Sequence, residues 1–354
     1  MVIQYKCPNC GADMAFDSTS GMLHCESCGR KDSVDTIKNE NTSKKNYSDT
    51  SSSSKNTKYF GENDATEYKC NNCGANLITD KYTSATTCSF CGAAMVLSDR
   101  LNGNLAPELI IPFKISKEQA MEAFKKWCKK GLLTPKGFMN ADRIKSITGL
   151  YVPFWLYDLN CIGDAEALCT KVRTYEQGDY IYTETKHYEV YRSVDLTYDN
   201  VPVDASEKMN DELMEKLEPF NYAALSDFNM PYLAGFIAEK YSYDDKALFP
   251  HAKARVTNYV NEFINQTISG YTTTNFRKRN VTVRERDVHY VLFPVWMVCY
   301  DYKKSEHTFA MNGQTGKIVG KPPLSIGKIA LWLAGISTSS FLIMRLLTFI
   351  LGGV

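Results

Sequence analysis

The sequence predicts an α+β protein: two small N-terminal four-cysteine zinc ribbons, a mixed α+β domain, and a C-terminal transmembrane helix. Three observations carry that prediction. CPNCGADMAFDSTSGMLHCESCG (7–29) returns sixty-three residues later as CNNCGANLITDKYTSATTCSFCG (70–92). Helix-period and strand-period segments then alternate through residue 325, and the last 26 residues, 329–354, carry a single charge, Arg345.

Composition narrows the class. The chain has 354 residues, 41 basic against 40 acidic side chains and 22 tyrosines. Near-zero net charge supplies no global pull towards nucleic acid, and abundant tyrosine favours strands. Twelve cysteines need a reason. The opening MVIQYKC has no apolar run that reads as a secretory signal, so paired cysteines suggest metal rather than disulfides. The scattered Cys128, Cys161, Cys169 and Cys299 read as buried small apolar side chains.

Residues 1–35 form the first ribbon. Cys7 and Cys10 are two residues apart, as are Cys25 and Cys28, with fourteen between the pairs. Cys70, Cys73, Cys88 and Cys91 repeat both spacings in residues 67–98. Two intervening residues let both sulfurs of a pair face one ion from one turn, and two such turns complete a tetrahedral thiolate cage suited to zinc. The same cage also holds iron, but this spacing fits a zinc ribbon better. Gly11, Gly29, Gly74 and Gly92 each follow the second cysteine of a pair, where the turn needs positive φ. Each site is closed, so the two zinc ions are structural; modules this small fold on metal ligation. His24 reads as a surface residue. Residues 36–66, rich in serine, asparagine and lysine, read as a flexible polar linker.

The α+β domain spans 99–325. SKEQAMEAFKKWCKKG reads as a helix capped by its serine. GLYVPFWLYDLNC reads as a buried strand and YIYTETKHYEVYRSVDLTYD as a strand pair. DASEKMNDELMEKL reads as a helix capped by Asp204 or Ser206. DDKALFPHAKARVTNYVNEFINQTI is a second long helix with Pro250 near its start. Strands resume through ISGYTTTNF, VTVRERDV, HYVLFPVWMVCYDYK, HTFAMN and KIVGK, with a hairpin turn at Asn312-Gly313. YVPFWLYD (151–158) resembles LFPVWMVCYDY (292–302); two similar α+β halves and coincidence between core strands are both readings of this.

Residues 326–354 read as the membrane anchor. From Ile329, Arg345 lies roughly 25 Å along a helix, near the far interface, where it snorkels. Lys317, Lys321 and Lys328 before the segment place the preceding bulk in the cytoplasm. A buried helix and an in-plane helix broken at Arg345 are the alternatives, and the all-round apolar character argues against both.

Chemistry-bearing motifs are few. No Gly-x-x-x-x-Gly-Lys-Ser/Thr, Gly-x-Ser-x-Gly, His-Glu-x-x-His or Gly-x-Gly-x-x-Gly occurs, and the five histidines show no ligand spacing. The expectation is a protein that is not an enzyme. Residues 1–100 hold 11 basic and 12 acidic side chains, and each four-thiolate site adds about −2 of charge. The ribbons therefore favour protein contact over nucleic acid. One basic cluster, Arg277, Lys278, Arg279, Arg284 and Arg286, reads as a solvated hairpin tip or as a contact for an anionic surface such as lipid.

Several stretches outside the ribbons, IIPFKISKEQA, VPVDASEKMNDELMEKLEPF, MPYLAGFIAEKY, LFPVWMVCYDYK and FAMNGQTGKIVGKPP, together with the order ribbon, linker, ribbon, α+β domain, apolar tail, carry a family resemblance. The chain resembles bacterial membrane-anchored double zinc-ribbon proteins, labelled TFIIB-type zinc ribbon-containing proteins or primosomal protein N′-like superfamily II helicases. The missing nucleotide motif excludes the helicase activity. The resemblance implies a membrane anchor for phage-shock-protein-A-like and flotillin-like partners under envelope stress. The leading expectation is a non-enzymatic scaffold whose second ribbon docks near the body while the first, on its tether, searches for a partner. The alternative is a membrane-associated nucleic-acid-binding protein using the ribbons or the Arg277–Arg286 cluster.

Overall fold

The computed structural model describes residues 2–35, 65–71, 74, 76–80, 83–87, 94–97, 106–129, 131, 133–135, 138, 144–302 and 305–351. Nearly all of the predicted linker, and Cys73, Cys88 and Cys91, lie outside these residues.

In chain order the strands are β1 Val2–Ile3, β2 Met14–Asp17, β3 Met22–Cys25, β4 Lys31–Asp32, β5 Ala65–Lys69, β6 Asn76–Asp80, β7 Thr83–Thr87 and β8 Ala94–Leu97. The body adds β9 Leu109–Ile110, β10 Ile144–Gln177, β11 Tyr180–Asp204, β12 Ser226–Asp227, β13 Ile237–Glu239, β14 Thr273–Tyr302, β15 Ser305–Asn312 and β16 Ile318–Val319. Among the described residues four α-helices of full length accompany them: α1 Lys117–Lys129, α2 Asp211–Leu217, α3 Asp245–Thr267 and α4 Ile326–Leu351. The fold is mixed α+β, as its sequence predicts.

Three strands dominate. β10, β11 and β14 run 34, 25 and 30 residues, far beyond the usual 5–6. β11 and β14 flank β10, both antiparallel to it. The two repeat-like segments are neighbours here: Tyr151 pairs with Pro294 and Pro153 with Leu292. The segment expected as a strand pair, 180–199, lies within one strand, β11, because the reversal comes earlier, at Gly178-Asp179, and returns the chain along β10. The three predicted segments, beginning at 268, 281 and 289, likewise fuse: 273–302 is the single strand β14, bent by bulges rather than broken by turns.

Burial along β10 explains its composition. From Leu150 to Tyr157 both faces are covered, so the residues are apolar without alternation. Leu150, Val152, Phe154 and Leu156 pack with Met214 and Leu217 of α2, Phe220 and Phe293. The other face meets α3 through Val256, Val260 and Ile264. At the crossing Gly163 has no Cβ because one would lie 2.7 Å from Val260 Cγ1. From Lys171 to His187 the β10–β11 hairpin is exposed on both faces, so it projects as a two-stranded arm.

Caps follow local chemistry. Ser116 opens α1, with Gln119 N–H donating to Ser116 Oγ (3.2 Å) and Ser116 N–H donating to Gln119 Oε1 (3.0 Å). α2 starts later than its pattern suggests: its cap is Asn210, which accepts from the Leu213 N–H. Asp204 and Ser206 instead hold the preceding turn, Ser206 Oγ accepting from the amides of Lys208 and Met209. Asp244 caps α3. The turn expected at Asn312-Gly313 closes around the Asn312 carboxamide, which accepts from the amides of Gln314 and Thr315 and donates to Leu217 O.

α4 stands apart. The window Ile326–Phe349 has a mean hydropathy of 1.6 and is 0% buried against the rest of the chain. It is long and apolar enough to cross a membrane. Its first turn is tied to the body, Lys328 Nζ donating to Thr134 O and the Ser325 amide to Leu133 O.

Candidate metal centre

The first ribbon is a three-stranded sheet, β2-β3-β4, fed by two cysteine turns. Both turns are built alike. Gly11 N–H donates to Cys7 O (2.8 Å) with φ +74°, and Gly29 N–H donates to Cys25 O (2.9 Å) with φ +76°. An L side chain is strained at that φ, which is why glycine stands there. Between the strands Asp17 closes the β2–β3 turn. Its carboxylate accepts from the Ser20 and Thr19 hydroxyls at 2.6 Å each, which holds it well below the usual carboxylate range.

The turns bring four sulfurs together. Cys7 Sγ lies 3.5 Å from Cys28 Sγ, and Cys10 Sγ 3.5 Å from Cys25 Sγ. All four lie within 4.8 Å of one another. A tetrahedral ion with sulfur bonds of about 2.3 Å requires about 3.8 Å between sulfurs, so the cluster can take one metal ion with little movement. Cys7 and Cys25 are buried under the ribbon; Cys10 and Cys28 face outward. The Arg30 backbone N–H, then the Asn9 side chain, hold the Cys28 thiol down at about 6. At Cys10 the Ala12 N–H pulls the same way, but neighbouring thiols, Cys25 first, push it up to about 11. His24 is not part of the cluster.

Of the second set, only Cys70 is described. It is buried, and its turn repeats the other two: Gly74 N–H donates to Cys70 O at 2.9 Å with φ +74°. Gln4 Nε2 approaches Cys70 Sγ at 3.7 Å, linking the start of the chain to the second cysteine region.

The first ribbon does not stand off on a tether, as its sequence suggested. It is docked on the body. The Phe16 amide donates to Ala234 O at 2.9 Å. The Phe16 ring, 5% exposed, meets Tyr232 at 5.2 Å and Phe236 at 6.5 Å. β1 pairs with β8, and β7 with β13, so the N-terminal strand and the second cysteine region extend the body's large sheet. The signal was legible only in hindsight: a phenylalanine on a ribbon this small has no interior of its own to fill.

The basic cluster lies along β14, not at a hairpin tip. Three of its five members are tied to neighbours: Arg277 to Glu189 (3.2 Å), Arg279 to Asn265 (2.6 Å), and Arg286 to Asp158 (3.1 Å) and Asp199 (2.5 Å). Lys278 and Arg284 are exposed on the same strand. A separate cavity of about 880 Å³ lies between α2, α3 and β11, lined by Asp204, Glu218, His251 and Arg255 among others. Arg255 there is committed to Glu218 through a two-pronged ion pair and to Pro202 O at 3.0 Å. Burial pushes the Asp204 carboxyl up to about 7, its Oδ2 having no hydrogen-bond partner.

The chain is 55% identical over 353 residues to a Bacillus subtilis (strain 168) protein described as uncharacterized protein YdjG, an alignment covering 100% of this chain and 99% of that one. The chain belongs to the YdjG family. The alignment spans the ribbon, the body and the apolar helix of this YdjG-family chain. No protein-family model and no solved structure matches it.

Proposed function

We propose that this chain is a non-enzymatic, membrane-tethered zinc-ribbon scaffold that faces the cytoplasm and recruits protein partners to the bilayer. One observation carries the reading: a cysteine-closed ribbon is fixed to an α+β body that ends in an unburied apolar helix. Such an arrangement holds a binding surface at a set place relative to a membrane. Four thiolates in a closed cage suit structural zinc, and the matching Cys70 turn supports a second four-cysteine site completed by Cys73, Cys88 and Cys91. Lys317, Lys321 and Lys328 before α4 favour a cytoplasmic body. Resemblance to membrane anchors for phage-shock-protein-A-like and flotillin-like proteins makes these the partners to test. Nucleic acid is the weaker reading, since most of the basic cluster is spent on acidic or amide neighbours.

The test is affinity purification from detergent-solubilised membranes, comparing the full chain, a chain ending at Ser325 and Cys7→Ser. The full chain brings down specific proteins from the membrane fraction. Cys7→Ser stays in that fraction but loses them. Recovery of nuclease-sensitive nucleic acid instead, or unchanged capture by Cys7→Ser, overturns the reading.

A further inference from the structure

The three long strands leave two edges open. Among the described residues β11 pairs only with β10, and the outer edge of β14 is unpaired from Thr273 to His289. Open edges of this length template pairing with another chain unless they are blunted, and lysine and arginine are the usual means. β14 is blunted: Arg277, Lys278, Arg279, Arg284 and Arg286 all fall on the open stretch. β11 carries only Lys186 and Arg192 over 25 residues and has no proline before Pro202.

We propose that β11 is the joint of a two-fold dimer, pairing antiparallel with β11 of a second copy. One register sets complementary side chains opposite each other, with Glu184 also pairing Lys186 at 3.4 Å and Glu189 also pairing Arg277 at 3.2 Å within the chain. With Tyr188 opposite its own symmetry mate, Glu184 faces Arg192 of the other copy and His187 faces its Glu189, each twice. The same register sets Tyr180 opposite Leu196 and Tyr182 opposite Val194. These are side chains of the sheet face that carries α3, since Val194 packs against Gly163 beneath that helix.

The apolar surfaces fit this arrangement as well. The arm exposes Tyr180 at 71% and Tyr182 at 45%, with no helix over them. α3 exposes Tyr259 at 40% and Phe263 at 41% on its rim towards β11, where Tyr259 meets Tyr198. A two-fold normal to the sheet keeps both α3 helices on one face and slides each uncovered arm beside the other copy's α3 rim. The joint closes on itself. Pairing β11 with β14 of a second copy would instead leave ends open and run on as a filament. The two α4 helices leave from opposite ends of the joined sheet, so insertion of both into one bilayer requires the two-fold to run along the membrane normal.

The full chain in detergent micelles at about 10 µM, sized by light scattering with the detergent mass subtracted, is expected to be a dimer. Glu184→Arg, on the exposed arm, sets like charges across the joint twice and loosens the dimer about tenfold or more. Arg192→Glu does the same, and the double exchange restores it. Arg192 also bonds Thr267 O in its own chain, so a second measurement stands beside the swap. Thr183→Cys with Ser193→Cys, opposite each other in this register, cross-links to a dimer with a short bis-maleimide above the wild-type background, while Thr183→Cys alone does not. A monomer, a species larger than a dimer, a dimer indifferent to Glu184→Arg, or cross-linking by Thr183→Cys alone overturns the proposal.

Discussion

Replacing Phe16 by alanine separates the ribbon's own folding from its attachment to the body. The sulfurs of Cys7, Cys10, Cys25 and Cys28 gather inside the ribbon, where a bound metal would hold it together, whereas Phe16 ties it outward. Phe16 is 5% exposed and wedged against Tyr232 and Phe236. Truncating a phenylalanine so placed costs about 3–5 kcal/mol, including about 0.5–1.5 kcal/mol for each aromatic pair. That loss falls on docking, so the ratio of attached to detached ribbon drops by roughly 10²-fold or more. Hydrogen exchange on the full chain reads it directly. The Phe16 amide, bonded to Ala234 O, and the amides of 232–236 lose protection, while the Gly11 and Gly29 amides of the cysteine turns keep theirs and metal content is unchanged. If protection at the residue 16 amide survives the substitution, the ring is not what holds the ribbon on the body. If metal is lost together with protection, ribbon folding and docking are one event and cannot be separated in this way.

Other perturbations have equally definite outcomes. Asp204, whose carboxyl burial raises from an ordinary 3.8 to about 7, keeps its proton when folded and releases it when unfolded, so its contribution is present below about pH 4 and is lost as pH rises through about 7. The slope is about 1.4 kcal/mol per pH unit in that window; denaturant titrations at pH 5 and 8 should show Asp204→Asn gaining on the wild type, and parallel curves would refute the assignment. Gly163→Ala forces a Cβ to 2.7 Å from Val260 and is expected to destabilise by about 1–3 kcal/mol in the same titration. On the proposed two-site reading, Cys10→Ser should lower bound zinc, measured by mass spectrometry of the metal, by one ion per chain and leave the Cys70 set loaded.

Much of this was legible because local chemistry decided it. Cysteine spacing with a following glycine marks a turn that tolerates little else, and the Gly11, Gly29 and Gly74 turns share one hydrogen-bond pattern and one φ. Ser116 announces α1 because a cap is read within four residues. What escaped reading depends on distant partners. Nothing local shows that 180–204 or 273–302 stay unbroken, since a long strand is permitted by its neighbours rather than demanded by its own residues. The basic cluster was misplaced for the same reason: Arg286 reaches Asp158 and Asp199 across two strands far apart in sequence. The docking of the first ribbon needed Tyr232 and Phe236, more than two hundred residues downstream of Phe16.

The claim on which the scaffold reading depends is that α4 holds the body at a membrane. Sodium carbonate extraction of isolated membranes, with the full chain beside a chain ending at Ser325, tests it most directly. The full chain is expected to remain in the membrane pellet at alkaline pH and the shortened chain to be recovered in the soluble fraction, still folded and still carrying metal. A full chain released by carbonate, or a shortened chain that stays in the pellet, would contradict the account.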